Sequence, residues 1–297
     1  MGTLTLGADG LAARLSPQGG RVLSLDWHRD GQAVPLLHPD ERTGPGTRST
    51  FPLVPFGNRL PGNSFRFGSH DYTFAPNTED PSYLHGDGWL GAWQVEALDG
   101  ACAELVFRHD GSPFCYEARQ SFRIADGAFH LALDVRNTSE HPLPFGLGWH
   151  PFFPRTPDTR LEMRAQGFRE ERSGHLPGDA APRPVDLDFS AAAPLPDRWV
   201  NNGLEDWDGR ARILWPERAA GLGVEADPLF AHAFLFLPDR ARAPNAEWFC
   251  VEPMSHRAGA HHHADGGGLL TLAPGESLSG SIRLSPFSLP PGSPSRP

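Results

Sequence analysis

The sequence predicts an all-β protein, a large antiparallel β-sandwich, on three observations. Apolar and polar residues alternate with period two in many short segments, turn formers separate those segments, and no amphipathic helix longer than about three turns is recognisable. In "FHLALDVRN", Phe129, Leu131, Leu133 and Val135 alternate with His130, Ala132, Asp134 and Arg136, as a half-buried strand requires. "LAARLS", "VLSLDW", "AELVFRH", "ARILW", "AFLFLP", "WFCVE" and "SLSGSIRLS" read the same way. Between them lie "SPQGG", "HDGSPF", "ADGA" and "LAPGES", all turn chemistry. Residues 164–198 lack this regularity and are expected to form a long loop with little core content. The Pro- and Ser-rich end, 286–297, is expected to be a disordered tail after a single folded domain, 1–285.

Composition supports that architecture and narrows function. The 33 glycines and 31 prolines among 297 residues are about 22% of the chain, against ~12% on average, and suit many tight turns. Every basic residue is arginine. Without lysine the chain cannot perform Schiff-base chemistry or build a P-loop. A net charge of −10 argues against nucleic acid or anionic membrane as partners and favours a small uncharged substrate. Three scattered cysteines suggest neither a disulfide framework nor a paired zinc site. With no long apolar run and no signal-peptide pattern at the start, a cytoplasmic location is expected, as monomer or homodimer.

"LHGDGWLGAW" contains Gly86, Gly88 and Gly91 in the spacing of a dinucleotide fingerprint. That motif needs a strand before it and a helix after it. Here "NTEDPSY" precedes and the strand-like "AWQVEAL" follows, so the nucleotide reading fails and His85 becomes the residue of interest. By itself His85 on a turn is either a solvated surface residue or part of a site. His150, in the apolar run "FGLGWHPFF", is either a core histidine or a group at a strand end, because Pro151 stops regular pairing. In "EWFCVEPMSH" a strand would put Trp248, Cys250 and Glu252 on one face. Glu252 is then either ion-paired to an arginine or a base in a partly dry cleft. Asn58 and Arg59 lie between prolines and offer amide and guanidinium donors to sugar hydroxyls. His261, His262 and His263 lack the spacing of a metal set, and no metal is expected.

Taken together these stretches resemble the aldose 1-epimerase (galactose mutarotase) family. The matching pieces are "PLVPFGNRLPGNSFRFGSHDY", "LHGDGWLGAW", "FGLGWHPFF", "WDGRARILWP", "CVEPMSH" and "LAPGESLSGSIRLS", in the family's order over about residues 10–285. The resemblance implies a galactose mutarotase-like supersandwich with an open sugar-binding cleft, no cofactor and a monosaccharide substrate. It assigns Glu252 as general base, His150 as general acid, His85 as a second active-site histidine, and Arg59 beside Asn58 as sugar-binding. One position departs: Asn201 stands where the family usually has an aspartate that bonds sugar hydroxyls, and nearby Asp206 is a candidate substitute. The spatial expectation is that Glu252 and His150 face each other across a pocket sized for a monosaccharide. Rival readings are a hexose-6-phosphate mutarotase, a non-catalytic carbohydrate-binding protein, and a glycoside hydrolase, which would need two carboxylates.

Overall fold

The computed structural model describes residues 2–42 and 44–290. Among them there are strands and short 3-10 turns and no α-helix. The eight segments named above lie inside strands, apart from Pro238 at the end of "AFLFLP", and every strand pair among the described residues is antiparallel. Nine strands form one large sheet, eight a second, and four N-terminal strands a third.

Local sequence accounts for the tightest connections. Asp9–Gly10, Asp30–Gly31 and Asp126–Gly127 each join two paired strands through a two-residue turn. Both residues of each turn have positive φ. That is the geometry Asp-Gly supplies because its twist matches the flanking strands.

One continuous core joins the large sheets. Leu105, Leu131, Val224 and Ile282 from the nine-stranded sheet cluster with Val200, Leu235, Phe249 and Val251 from the eight-stranded sheet. Alternation then forces the other residues of the latter strands onto its opposite face. There a second apolar cluster forms around Phe51, Trp89, Phe152, Phe234, Trp248 and Cys250.

Two expectations are corrected. Residues 164–198 are not a structureless loop: they contain strands Gly167–Arg172 and Leu176–Ala180 and bury Phe168, Leu187 and Phe189. Charged side chains on the outward positions of "GFREER" mask the alternation. The final strand runs Ser277–Ser288, so the start of the expected tail at 286 belongs to the sheet, where Arg212 lies over the Phe287 ring. Residues 291–297 lie outside the described residues.

Buried histidines make this core acid-sensitive. His256 is fully buried, its Nε2 accepts the Gly57 N–H at 3.0 Å, and burial pushes its pKa down to about 3. The unfolded chain binds that proton below about pH 6.5 while the folded chain does not. Stability from this group is therefore present above pH 6.5 and falls by up to about 1.4 kcal/mol per pH unit below it. Urea midpoints of His256→Gln should fall less steeply than wild type between pH 7.5 and 5.5; parallel slopes would contradict this.

Candidate functional site

The second face of the eight-stranded sheet carries the candidate residues, and strand register explains why they meet. Gly148 pairs with Met254 and Phe152 with Cys250, so the register sets His150 opposite Glu252. Pro151 interrupts the ladder beside this pair without shifting it. The row continues to Phe51 on one side, which pairs with His150, and to Phe234, Gly203 and Arg169 on the other. Trp248, Cys250 and Glu252 share this face, and Phe249 and Val251 enter the core behind it.

The expected separation of acid and base by a pocket is not what the structure has. Nε2 of His150 lies 3.2 Å from Oε1 of Glu252, and the two are in direct contact because cross-strand neighbours on one face stand side by side. Glu252 is only 1% exposed. Its Oε2 and the Nδ1 of His150 are buried with no hydrogen-bond partner among the described residues. Phe51 and Phe152 flank the imidazole, with ring centroids at 4.6 and 4.7 Å. Burial pushes the Glu252 carboxyl well above its usual pKa, opposed by the charge of Arg59. Burial also pushes His150 down to about 3, with the charges of Arg21 and Arg59 acting the same way. Both groups are driven toward their uncharged forms. In that uncharged state the proton lies on the carboxyl.

His85 joins them from the loop. Its ring lies 5.2 Å from that of His150, nearly perpendicular. Nδ1 accepts the Asn58 N–H at 3.0 Å, which fixes the proton of the neutral ring on Nε2 and makes that atom a donor. Burial holds this imidazole far below the usual histidine pKa. The His85 N–H in turn donates to the Asn58 carbonyl at 3.1 Å. Both residues have positive φ, 60° and 66°, conformations unusual outside glycine and held here by this reciprocal pair. The glycines of the rejected fingerprint have packing roles. A Cβ on Gly86 would collide with the Val54 carbonyl, and one on Gly91 with the Phe107 ring.

Arg59 is tied to Asp80 by two hydrogen bonds, 2.8 and 3.0 Å, and donates to the His175 carbonyl at 3.4 Å. Asn201 lies on the same face and donates from Nδ2 to Oε1 of Glu171 at 2.8 Å. Asp206, the candidate substitute, sits on an exposed turn instead. Sequence reasoning missed Glu171, the aromatic lining and Arg21. Arg21 is fully buried beneath Phe51 and Trp89, donates to Thr47, Gly44 and Trp89, and is lowered by burial only to about 10, so it remains charged. No local signal distinguishes it from a surface arginine.

Other charged groups gather elsewhere. Arg42, Arg48 and Arg242 border a cavity of about 580 Å³ closed by Trp248. Arg42 is paired there with Asp40, and Arg48 stacks over Trp248 at 5.3 Å. His261 packs against Phe56 and Phe65, apart from its neighbours. Among the described residues no three His, Cys, Asp or Glu side chains converge as a metal-ligand set. None of the helical turns there is long and apolar enough to cross a membrane.

An all-β supersandwich with a buried carboxylate–imidazole pair on one sheet face defines a class, and sequence comparison gives its name. The pattern of the aldose 1-epimerase family matches residues 2–285, and the chain belongs to that family. It is 41% identical to the uncharacterised YphB of Escherichia coli K12 over 285 residues, 94% of this chain and 97% of that one. A crystal structure of an E. coli K12 protein assigned provisionally as an aldose 1-epimerase superposes with a TM-score of 0.91 at 38% identity, covering 97% and 99% of the two chains. A galactose mutarotase-like protein from Clostridium acetobutylicum shares the fold, with a TM-score of 0.81 at 18% identity over 96% and 95%.

The turn that carries His85 depends on Gly86, whose φ is +67°. Gly86→Ala should lower unfolding free energy by about 1–3 kcal/mol through strain and overpacking against Val54. An unchanged urea midpoint would show that this backbone is not held there.

Proposed function

We propose that the protein interconverts the α and β anomers of free aldohexoses such as galactose or glucose. The observation that carries this reading is the direct contact of Glu252 and His150. Opening a pyranose removes the proton from the C1 hydroxyl and delivers one to the ring oxygen. Both oxygens are bonded to C1, so a base and an acid held side by side can reach both at once.

Glu252 takes the hydroxyl proton and His150 supplies one to the ring oxygen; rotation about C1–C2 exposes the other carbonyl face, and the roles reverse on closure. Before ring opening the shared proton must move from carboxyl to imidazole. That transfer leaves the net charge of the pair unchanged, so it needs no exchange with solvent. A sugar hydroxyl donating to Glu252 favours it, because hydrogen bonds to the charged form stabilise that form. The Nε2–H of His85 is a neutral donor beside the reacting atoms, suited to an oxygen that gains charge during opening. Arg59, Asn58 and Asn201 hold ring hydroxyls while C1 stays free to turn.

A phosphorylated hexose fits less well. Arg59 is already paired with Asp80. The cavity bordered by Arg48 and Arg242 is reached at Trp248, four residues along the strand from Glu252, a separation of roughly 13 Å. That is longer than the reach from C1 to a phosphate on C6 of the same ring.

Glu252→Gln should slow anomer exchange by about 10²–10⁴-fold while sugar still binds. Saturation-transfer NMR across galactose, glucose and glucose 6-phosphate measures this; near wild-type exchange by the variant would remove Glu252 from the role of base. The pH profile has a definite sign. Because burial raises the Glu252 carboxyl, the pair keeps its proton beyond the usual carboxylate range, and because His150 is lowered it takes a second only near pH 3. The kcat/KM of the free enzyme should therefore stay flat through pH 6.5 to neutrality. A tenfold fall per unit above pH 6.5 would show two ordinary, uncoupled groups.

A further inference from the structure

Glu171 sits on the strand Gly167–Arg172, and its side chain meets that of Asn201, which shares a sheet face with the catalytic pair. Three donors converge on its carboxylate. Asn201 Nδ2 donates to Oε1 at 2.8 Å and His175 Nδ1 lies 2.6 Å from the same oxygen, while Trp199 Nε1 donates to Oε2 at 2.7 Å. The side chain is about one-fifth exposed. No arginine is paired with it among the described residues, so its charge is held by neutral donors and by an imidazole.

An ionised carboxylate offers about four acceptor positions. Three are filled, and the remaining one is on Oε2, which has a single donor. The loop that carries His175 is also tied across to Arg59, whose Nη1 donates to the His175 carbonyl. Glu171, Asn201 and Arg59 thus belong to one bonded rim on the side of the face remote from Phe51.

We infer that Glu171 is a specificity-determining residue that accepts, at Oε2, a hydrogen bond from one ring hydroxyl remote from C1. This rests on the reading of the site as an aldose site and names how it chooses its sugar. A single open acceptor position on a carboxylate locked by three donors fits one hydroxyl orientation, axial or equatorial, and rejects its epimer by leaving the charge unpaired. The same geometry explains an amide at Asn201: a carboxylate at that distance from Glu171 would be repelled or forced to share a proton.

The test is a cycle between the protein and the sugar. Dissociation constants of wild type and Glu171→Gln are measured by NMR titration with galactose, glucose and their 2-, 3-, 4- and 6-deoxy forms, with exchange rates recorded alongside. Wild type should bind one deoxy sugar about 10- to 100-fold more weakly than its parent, and Glu171→Gln should erase that difference for this sugar alone. If the variant weakens all sugars equally, Glu171 only braces Asn201 and Trp199, and the inference is overturned. No measurable sugar binding by wild type overturns it as well. Binding with the expected coupling but no anomer exchange supports the role of Glu171 while removing the proposed reaction. Asn201→Asp, which sets a second carboxylate against Glu171, should weaken binding about tenfold or more; binding as tight as wild type would contradict the pairing.

Discussion

The contact between Glu252 and His150, kept dry by the rings around it, is the constraint on which the rest of the site depends. A carboxylate buried without a guanidinium partner is unfavourable unless it is neutralised. Here an adjacent imidazole and one proton do so, whichever atom holds that proton. The pair is neutral as a unit and can lie under Phe51 and Phe152 without an uncompensated charge. Arg21 belongs to the same balance: fully buried behind Phe51 and Trp89, it disfavours a positive charge on His150.

Strand register makes the contact rigid. Side chains opposite each other in an antiparallel pair have little freedom to separate, and the core behind them, Phe249 and Val251 among others, fixes the strand from the far side. His85 is added by a loop, where precision requires more devices. The left-handed backbone at Asn58 and His85, their reciprocal hydrogen bonds and the close approach of Gly86 to Val54 together lock a turn that would otherwise be mobile. The rim around Glu171 is a third arrangement, built from side-chain hydrogen bonds between a strand, its neighbour and a short turn.

Much of the fold was legible in the sequence, because period-two alternation and Asp-Gly turns report directly on strands and hairpins. The shared face of Trp248, Cys250 and Glu252 followed from that periodicity alone. The meeting of His150 and Glu252 did not, since register between strands a hundred residues apart is set by tertiary packing and leaves no local mark. For the same reason the sequence suggested two groups across a pocket where the strands place them in contact. Glu171 is hidden differently: charged side chains at the outward positions of "GFREER" leave its strand without a readable apolar alternation. Asp206, close to Asn201 in sequence, lies on an exposed turn, whereas Glu171 on the neighbouring strand meets the Asn201 side chain.

The central claim is that Glu252 and His150 share one proton and titrate as a unit. Nitrogen-15 NMR of the His150 ring, assigned by its loss in His150→Gln, tests this most directly. With the site empty, the ring should remain neutral and show no titration step between pH 5 and 8. An ordinary protonation near pH 6.5 would mean that the imidazole titrates independently of the carboxyl, and the account built on the shared proton would not stand.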